Sequence, residues 1–125
     1  MTDIGEIALY FIYIRDQLKI YHWQTKNYAR HVASDSFVSS LSDKMDKFME
    51  VAQGKSGSRM VLAQNNFSFK NQDDVSIVNL LQIFKEWLLN DLSSHLNPVK
   101  DSDLITIRDD ILIDLNQTLY LFTFQ

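Results

Sequence analysis

The sequence has no cysteine, a single proline and only three glycines among its 125 residues, and each scarcity removes a class of answer. Without a thiol there is no disulfide scaffold, thiolate zinc site, iron–sulfur cluster or cysteine nucleophile. Any chemistry must use histidine, carboxylate or hydroxyl groups. So few turn formers cannot supply the chain reversal roughly every 8–12 residues that a sandwich or barrel of short strands requires. Basic residues are also outnumbered: 12 Lys plus Arg against 16 Asp plus Glu leave a net charge of −4, the opposite of a broad nucleic-acid footprint. No apolar run approaches the ~18 residues that span a bilayer, and the first residues lack the basic start of a signal peptide. A soluble, cytoplasmic protein without membrane contact is expected. What the chain does have is 46% apolar residues, including eight Phe, five Tyr and two Trp. That is enough to fill one core, and residues 1–125 are read as a single domain.

The apolar residues recur with helical spacing. Ile7, Phe11, Ile14, Leu18 and Tyr21 mark a first helix from about Thr2 to about Thr25, with Thr2 or Asp3 as its N-cap. Val38, Leu41, Met45, Phe48 and Ala52 mark a second, opening near His31 and stopping at Gly54. The short polar stretch Gln24 to Arg30 between them makes the two antiparallel neighbours. Residues 54–73, rich in Gly, Ser and Asn, have no sustained period and are read as a long connection with one helical turn around Arg59 to Gln64. Asp73 or Asp74 then caps a third helix through Ile77, Leu80, Leu81, Phe84, Leu88 and Leu92, ending before Pro98. Asp101 or Ser102 opens a fourth, carried by Leu104, Ile107, Ile111, Leu115 and Leu119. Four amphipathic helices bury their stripes most simply as an all-α four-helix bundle, with the long second-to-third connection as the crossover of an up-down-down-up arrangement.

Carboxylate chemistry is constrained by the count. A di-iron site inside one bundle wants four Glu, two of them in Glu-x-x-His pairs. The chain has only Glu6, Glu50 and Glu86, followed three residues later by Leu9, Gln53 and Leu89. The remaining cluster is His22, His31, Asp35, Asp46 and Glu50. On a wheel at about 100° per residue with His31 at zero, Asp35 falls near 40°, Asp46 near 60° and Glu50 near 100°, beside the core stripe. A solvated flank is the ordinary reading of such a stripe. Two features weigh against it. Ser39 and Ser42 share this flank, so another helix can approach closely. Asp35 and Asp46 stand eleven residues apart, or ~16 Å along a helix, too far to share an ion whose bonds are only ~2 Å. An antiparallel copy of the second helix would set Asp35 of one chain opposite Asp46 and Glu50 of the other, giving two equivalent intersubunit sites about a twofold axis. His22 and His31 can converge across the short turn, and imidazole with carboxylates suits iron, zinc or manganese. His95, following Asp91 by four residues, reads as a helix-terminal residue.

His22-Trp23, then His31-x-x-x-Asp35, then Asp46-x-x-x-Glu50 and Gly54 together resemble the ferroxidase signature of the Dps (miniferritin) branch of ferritin-like proteins. The resemblance implies a ferritin-like four-helix fold with a long crossover. It implies iron ligation by His22, His31 and Asp35 of one subunit with Asp46 and Glu50 of its twofold mate, and Trp23 as an oxidisable neighbour in the catalytic centre. It further implies oxidation of Fe(II), with hydrogen peroxide as the preferred oxidant, iron storage and protection from oxidative stress in a twelve-subunit homo-oligomer. Residues 1–14 and 110–125 contain no Lys or Arg, so DNA compaction through a basic tail is not expected. Asp101, Asp103, Asp109 and Asp110 are read as solvating the start of the fourth helix, with an iron-entry pore as the alternative. Two other functions stay open: a non-catalytic helical interaction or assembly module, and a metal-buffering dimer without a shell.

Overall fold

The computed structural model describes residues 4–124. They form four helices and, among the described residues, no strand. Helix α1 is Ile4–Gln24, α2 is Tyr28–Ser56 and α3 is Ser76–Glu86. A π-helical turn, Trp87–Asp91, and one last α turn, Leu92–Ser94, continue α3; helix α4 is Ser102–Leu121. The expected N-cap of the first helix, Thr2 or Asp3, lies outside the described residues.

The 3–4 rhythm read from the sequence is the buried face. Phe11, Ile14, Leu18 and Tyr21 of α1, Leu41 and Phe48 of α2, Ile77, Leu81, Phe84 and Leu88 of α3 and its continuation, and Ile111 and Leu115 of α4 have no exposure. Each such side chain contributes roughly 1.5–3 kcal/mol of transfer free energy. Phe11 is the hub. Its ring meets Phe48, Phe84 and Trp87 edge-on, with centroids 5.6, 6.4 and 5.4 Å away, so α1 is tied to α2 and α3 by geometry as well as area.

Contacts at the helix ends give the chain directions. Residues 25–27 turn α1 into an antiparallel α2, whose N-terminus is capped by the Asn27 side chain accepting from the Arg30 amide at 3.0 Å. α4 runs antiparallel to α2: Arg30 donates to the Phe122 carbonyl at 3.1 Å, while Lys55 reaches Asp103 at 2.9 Å. α3 starts where α1 ends, Tyr21 donating to Asp74 at 2.6 Å, and the Tyr10 and Trp87 rings meet further along at 4.5 Å. α3 is therefore antiparallel to α1.

The segment between α2 and α3 travels the length of α1. Glutamine side chains hold it there: buried Gln17 grips the backbone of Lys70 from both sides, accepting from its amide at 2.8 Å and donating to its carbonyl at 3.0 Å. Gln24 accepts from the Gln72 amide and Gln53 from the Met60 amide, each at 2.8 Å. At the other end Val61 passes so close to Gly5 that a Cβ there would meet its carbonyl oxygen at 2.3 Å.

Four details differ from the sequence reading. α2 begins one turn earlier than expected, at Tyr28, because Asn27 provides the cap. It also runs past Gly54 to Gly57, whose φ of 75° makes it the left-handed terminator, with its amide bonded to the Gln53 carbonyl. The helical turn expected around Arg59 to Gln64 does not form. Instead the Met60 amide is bonded to the Gln53 side chain and Val61 lies against Gly5, and the chain from there to Gln72 follows the ~28 Å rise of α1. Finally, the third helix is interrupted by the wider turn at Trp87–Asp91.

Candidate functional site

The turn at 25–27 folds the end of α1 onto the start of α2, and His22 lands on His31. Their rings stack with centroids 3.9 Å apart and planes 16° from parallel. The hydrogen bonds are reciprocal. His22 Nδ1 lies 2.7 Å from the His31 carbonyl oxygen, and His31 Nδ1 lies 2.8 Å from the His22 carbonyl oxygen. A carbonyl only accepts, so both Nδ1 atoms carry hydrogen, and in each neutral ring the lone pair is on Nε2. Buried Ser34, one turn after His31, donates to the same His31 carbonyl at 3.0 Å, and its Oγ is 3.3 Å from His22 Nδ1. A histidine whose Nδ1–H is held by a carbonyl is oriented as metal-ligating histidines are.

Asp35 follows on the next turn of α2. Its Oδ1 is 4.0 Å from His22 Nε2 and 3.4 Å from Lys19 Nζ. Lys19 stands three residues before His22 on α1 and so shares its face. The same ammonium is 5.7 Å from the Trp23 ring centroid. Trp23 is 69% exposed. Asp46 and Glu50 are on α2 and exposed, and the helical rise keeps Asp46 ~16 Å from Asp35. The structure thus brings His22, His31 and Asp35 to one end of the bundle and leaves Asp46 and Glu50 apart from them. Among the described residues no group of three or more His, Asp or Glu is arranged to hold a metal ion within the chain. Of the two serines on this flank, Ser39 is exposed and Ser42 half-buried; neighbouring Ser40 is turned to α4 and donates to Asp114 at 2.5 Å.

Behind the histidines, Arg30 fastens four helix ends together. It donates to the Tyr21 hydroxyl at 3.1 Å, the Asp74 carbonyl at 2.8 Å and the Phe122 carbonyl, and its guanidinium lies 5.0 Å from the Phe122 ring centroid. Burial first, and then the hydrogen bond to Asp74, push the Tyr21 hydroxyl above its usual range. It stays a neutral donor. Lys19, Ser34 and Arg30 were not identified from the sequence. The three-residue spacings Lys19 to His22 and His31 to Ser34 were readable signals; Arg30 had none, because its partners are set by tertiary packing. The acidic residues at the start of α4 are partly accounted for by the Lys55 side chain, 3.6 Å from Asp101 and 2.9 Å from Asp103.

A model of a family of unknown function, DUF5856, matches residues 22–122, a span that opens on the stacked histidine pair. No curated protein and no solved structure matches the chain. Among the described residues no helix is long and apolar enough to cross a membrane.

Proposed function

The chain therefore belongs to this family of unknown function, and we propose that it is a ferritin-like, Dps-type iron protein that takes Fe(II) as its substrate and oxidises it at sites shared between two copies. The observation that carries this reading is the reciprocal histidine pair: two buried or half-buried imidazoles whose Nδ1–H groups are occupied, with Asp35 beside His22 Nε2. His22, His31 and Asp35 supply half of a coordination sphere. Asp46 and Glu50 of a second, antiparallel α2 supply the carboxylates that this chain keeps ~16 Å away. Ser39 lies on the open face between them, small enough for the helices to approach. The long connection along α1, with α3 antiparallel to α1, suits the ferritin-like crossover topology.

In the reaction two Fe(II) ions each give one electron to hydrogen peroxide; its O–O bond breaks, and with two protons two waters form. Carboxylates stabilise the higher charge of Fe(III), and Trp23, exposed beside the site, is the nearest oxidisable side chain. The bundle would store the ferric product as an oligomer, up to a twelve-subunit shell, in the cytoplasm, in defence against oxidative stress. Zinc or manganese suits the same donors.

One observation favours a second reading, a helical assembly module without catalysis: the Lys19 ammonium already occupies Asp35. The rate of Fe(II) oxidation by peroxide separates the two. Wild type is expected to exceed both the Asp46→Ala, Glu50→Ala double variant and His31→Ala by at least tenfold; equal rates would overturn the iron reading. Light scattering then distinguishes a metal-buffering dimer from a shell.

A further inference from the structure

Away from the histidines, the connection between α2 and α3 bridges a second concave site. It is pinned near Gly5 by Val61 and on Gln17 by Lys70, and in between it arches over α1 and the C-terminal part of α3. Under the arch is a cavity of about 470 Å³, within the size range of small-molecule sites. Tyr10, Trp87, Phe67, Glu6, His95 and Ala63 are among the residues that line it.

We propose that this cavity binds a small organic cation with an apolar or aromatic body. The walls and the charge both point there. Tyr10 and Trp87 meet at 4.5 Å with planes 31° apart, and Phe67 is held by stacking on Tyr13 at 4.8 Å. Aromatic faces attract cations, most strongly where water is partly excluded. No Lys or Arg lines the cavity, whereas the Glu6 carboxylate does. Asp91 adds a second negative charge close enough to act on Tyr10, whose hydroxyl is pushed up to about 12 by burial first, then by Tyr13 and Asp91. An anionic ligand would meet repulsion and no counter-charge from a lysine or arginine. Residues 64–66 contribute three amide side chains for polar contacts at the edge.

The backbone is also altered here. Trp87 opens the π-helical turn, its carbonyl accepting from the Leu92 amide five residues on. This wider turn lets Trp87 contact both the core, through Phe11, and the cavity. Such single turns are frequent at functional sites, and nothing in the proposed iron site needs this one.

The test is isothermal titration of the full chain at about pH 8, where ordinary imidazoles carry little charge. The probes are benzyltrimethylammonium, benzyl alcohol and phenylacetate at matched ionic strength. Benzyltrimethylammonium is expected to bind saturably and at least tenfold more tightly than phenylacetate, with benzyl alcohol between them. The indole N–H resonance of Trp87 should shift and that of Trp23 should not, since Trp23 is thirteen residues beyond Tyr10 on α1, ~20 Å away. Ala63→Phe, at an exposed position, fills the space and should abolish binding; Glu6→Gln should weaken only the cation. No saturable heat, equal affinity for phenylacetate, an unmoved Trp87 resonance, or unchanged binding by folded Ala63→Phe would each overturn the proposal.

Discussion

Gln17→Met is the sharpest probe of how the long connection is held. Glutamine and methionine have similar length and volume, so the substitution leaves no cavity; it deletes two hydrogen bonds, to the amide and carbonyl of Lys70. Each such bond contributes about 0.5–1.5 kcal/mol net, giving a gross loss of roughly 1–3 kcal/mol. Lys70 is exposed, so its freed backbone groups can turn to water. Gln17 has no exposure, so an apolar replacement recovers its desolvation cost. Both effects pull the net loss toward the lower half, about 1–2 kcal/mol. For a chain of this size 1 kcal/mol moves the melting temperature by about 4 °C, so Gln17→Met should melt ~4–8 °C below wild type.

The local signature should exceed the global one. The Lys70 amide should lose protection from hydrogen exchange, and proteolysis should quicken within residues 60–70, while Phe11 and its neighbours in the core remain protected. A melting temperature within about 1 °C of wild type, together with unchanged exchange at Lys70, would refute the assignment of this clip as a stabilising element.

Three further outcomes are expected. Gly5→Ala should destabilise by about 1–3 kcal/mol in urea unfolding despite alanine's helix preference of about 1 kcal/mol, because its Cβ would be 2.3 Å from the Val61 carbonyl oxygen. Tyr10 has a folded-state pKa of about 12 against an ordinary value of 10.0, so the native state holds its proton longer; stability should fall as pH rises from 10 toward 12, and urea midpoints of Tyr10→Phe should show a shallower fall. Asp73 accepts from the amides of Ser76 and Val75, which hold its carboxyl below the usual range. The stabilisation is present above the ordinary carboxylate pKa and lost as pH falls through the folded one, so Asp73→Ala should melt lower at neutral pH and converge with wild type in strong acid.

Which features were legible in the sequence follows from their physical origin. The buried faces were readable because one element's periodicity sets them: Phe11, Ile14 and Leu18 face inward for the reason their spacing gave. The connection is not legible where geometry between elements rules. Arg59 to Gln64 has nothing against a helical turn locally; its backbone is instead held by other elements, Met60 by the Gln53 side chain and Val61 against Gly5. The π turn left a trace in the sequence. Phe84, Leu88, Leu92 and Leu96 are spaced by four three times running, and at 100° per residue this drifts 120° off one face; all four are buried, and a wider turn between them absorbs drift. At the candidate site, residue identities and the convergence of His22 with His31 were accessible. The tautomers were not, because they depend on which backbone carbonyl each ring meets.

The fixed tautomers meet one requirement of the proposed iron site. A flank needs no ordered imidazoles, whereas a shared site does, and sharing has a thermodynamic consequence. If Asp46 and Glu50 of one copy complete the sphere begun by His22, His31 and Asp35 of another, iron and the second copy must each raise the other's affinity by the same factor. Iron binding should therefore weaken on dilution through the dimer's dissociation range, and added Fe(II) under anaerobic conditions should shift sedimentation toward the dimer. Lys19 sharpens the test: it competes for Asp35 at 3.4 Å, so Lys19→Gln should tighten iron binding and leave the dilution dependence in place. An iron affinity that stays constant from the dimeric to the monomeric range would show that any bound ion is held by one chain alone, and the twofold arrangement would have to be given up.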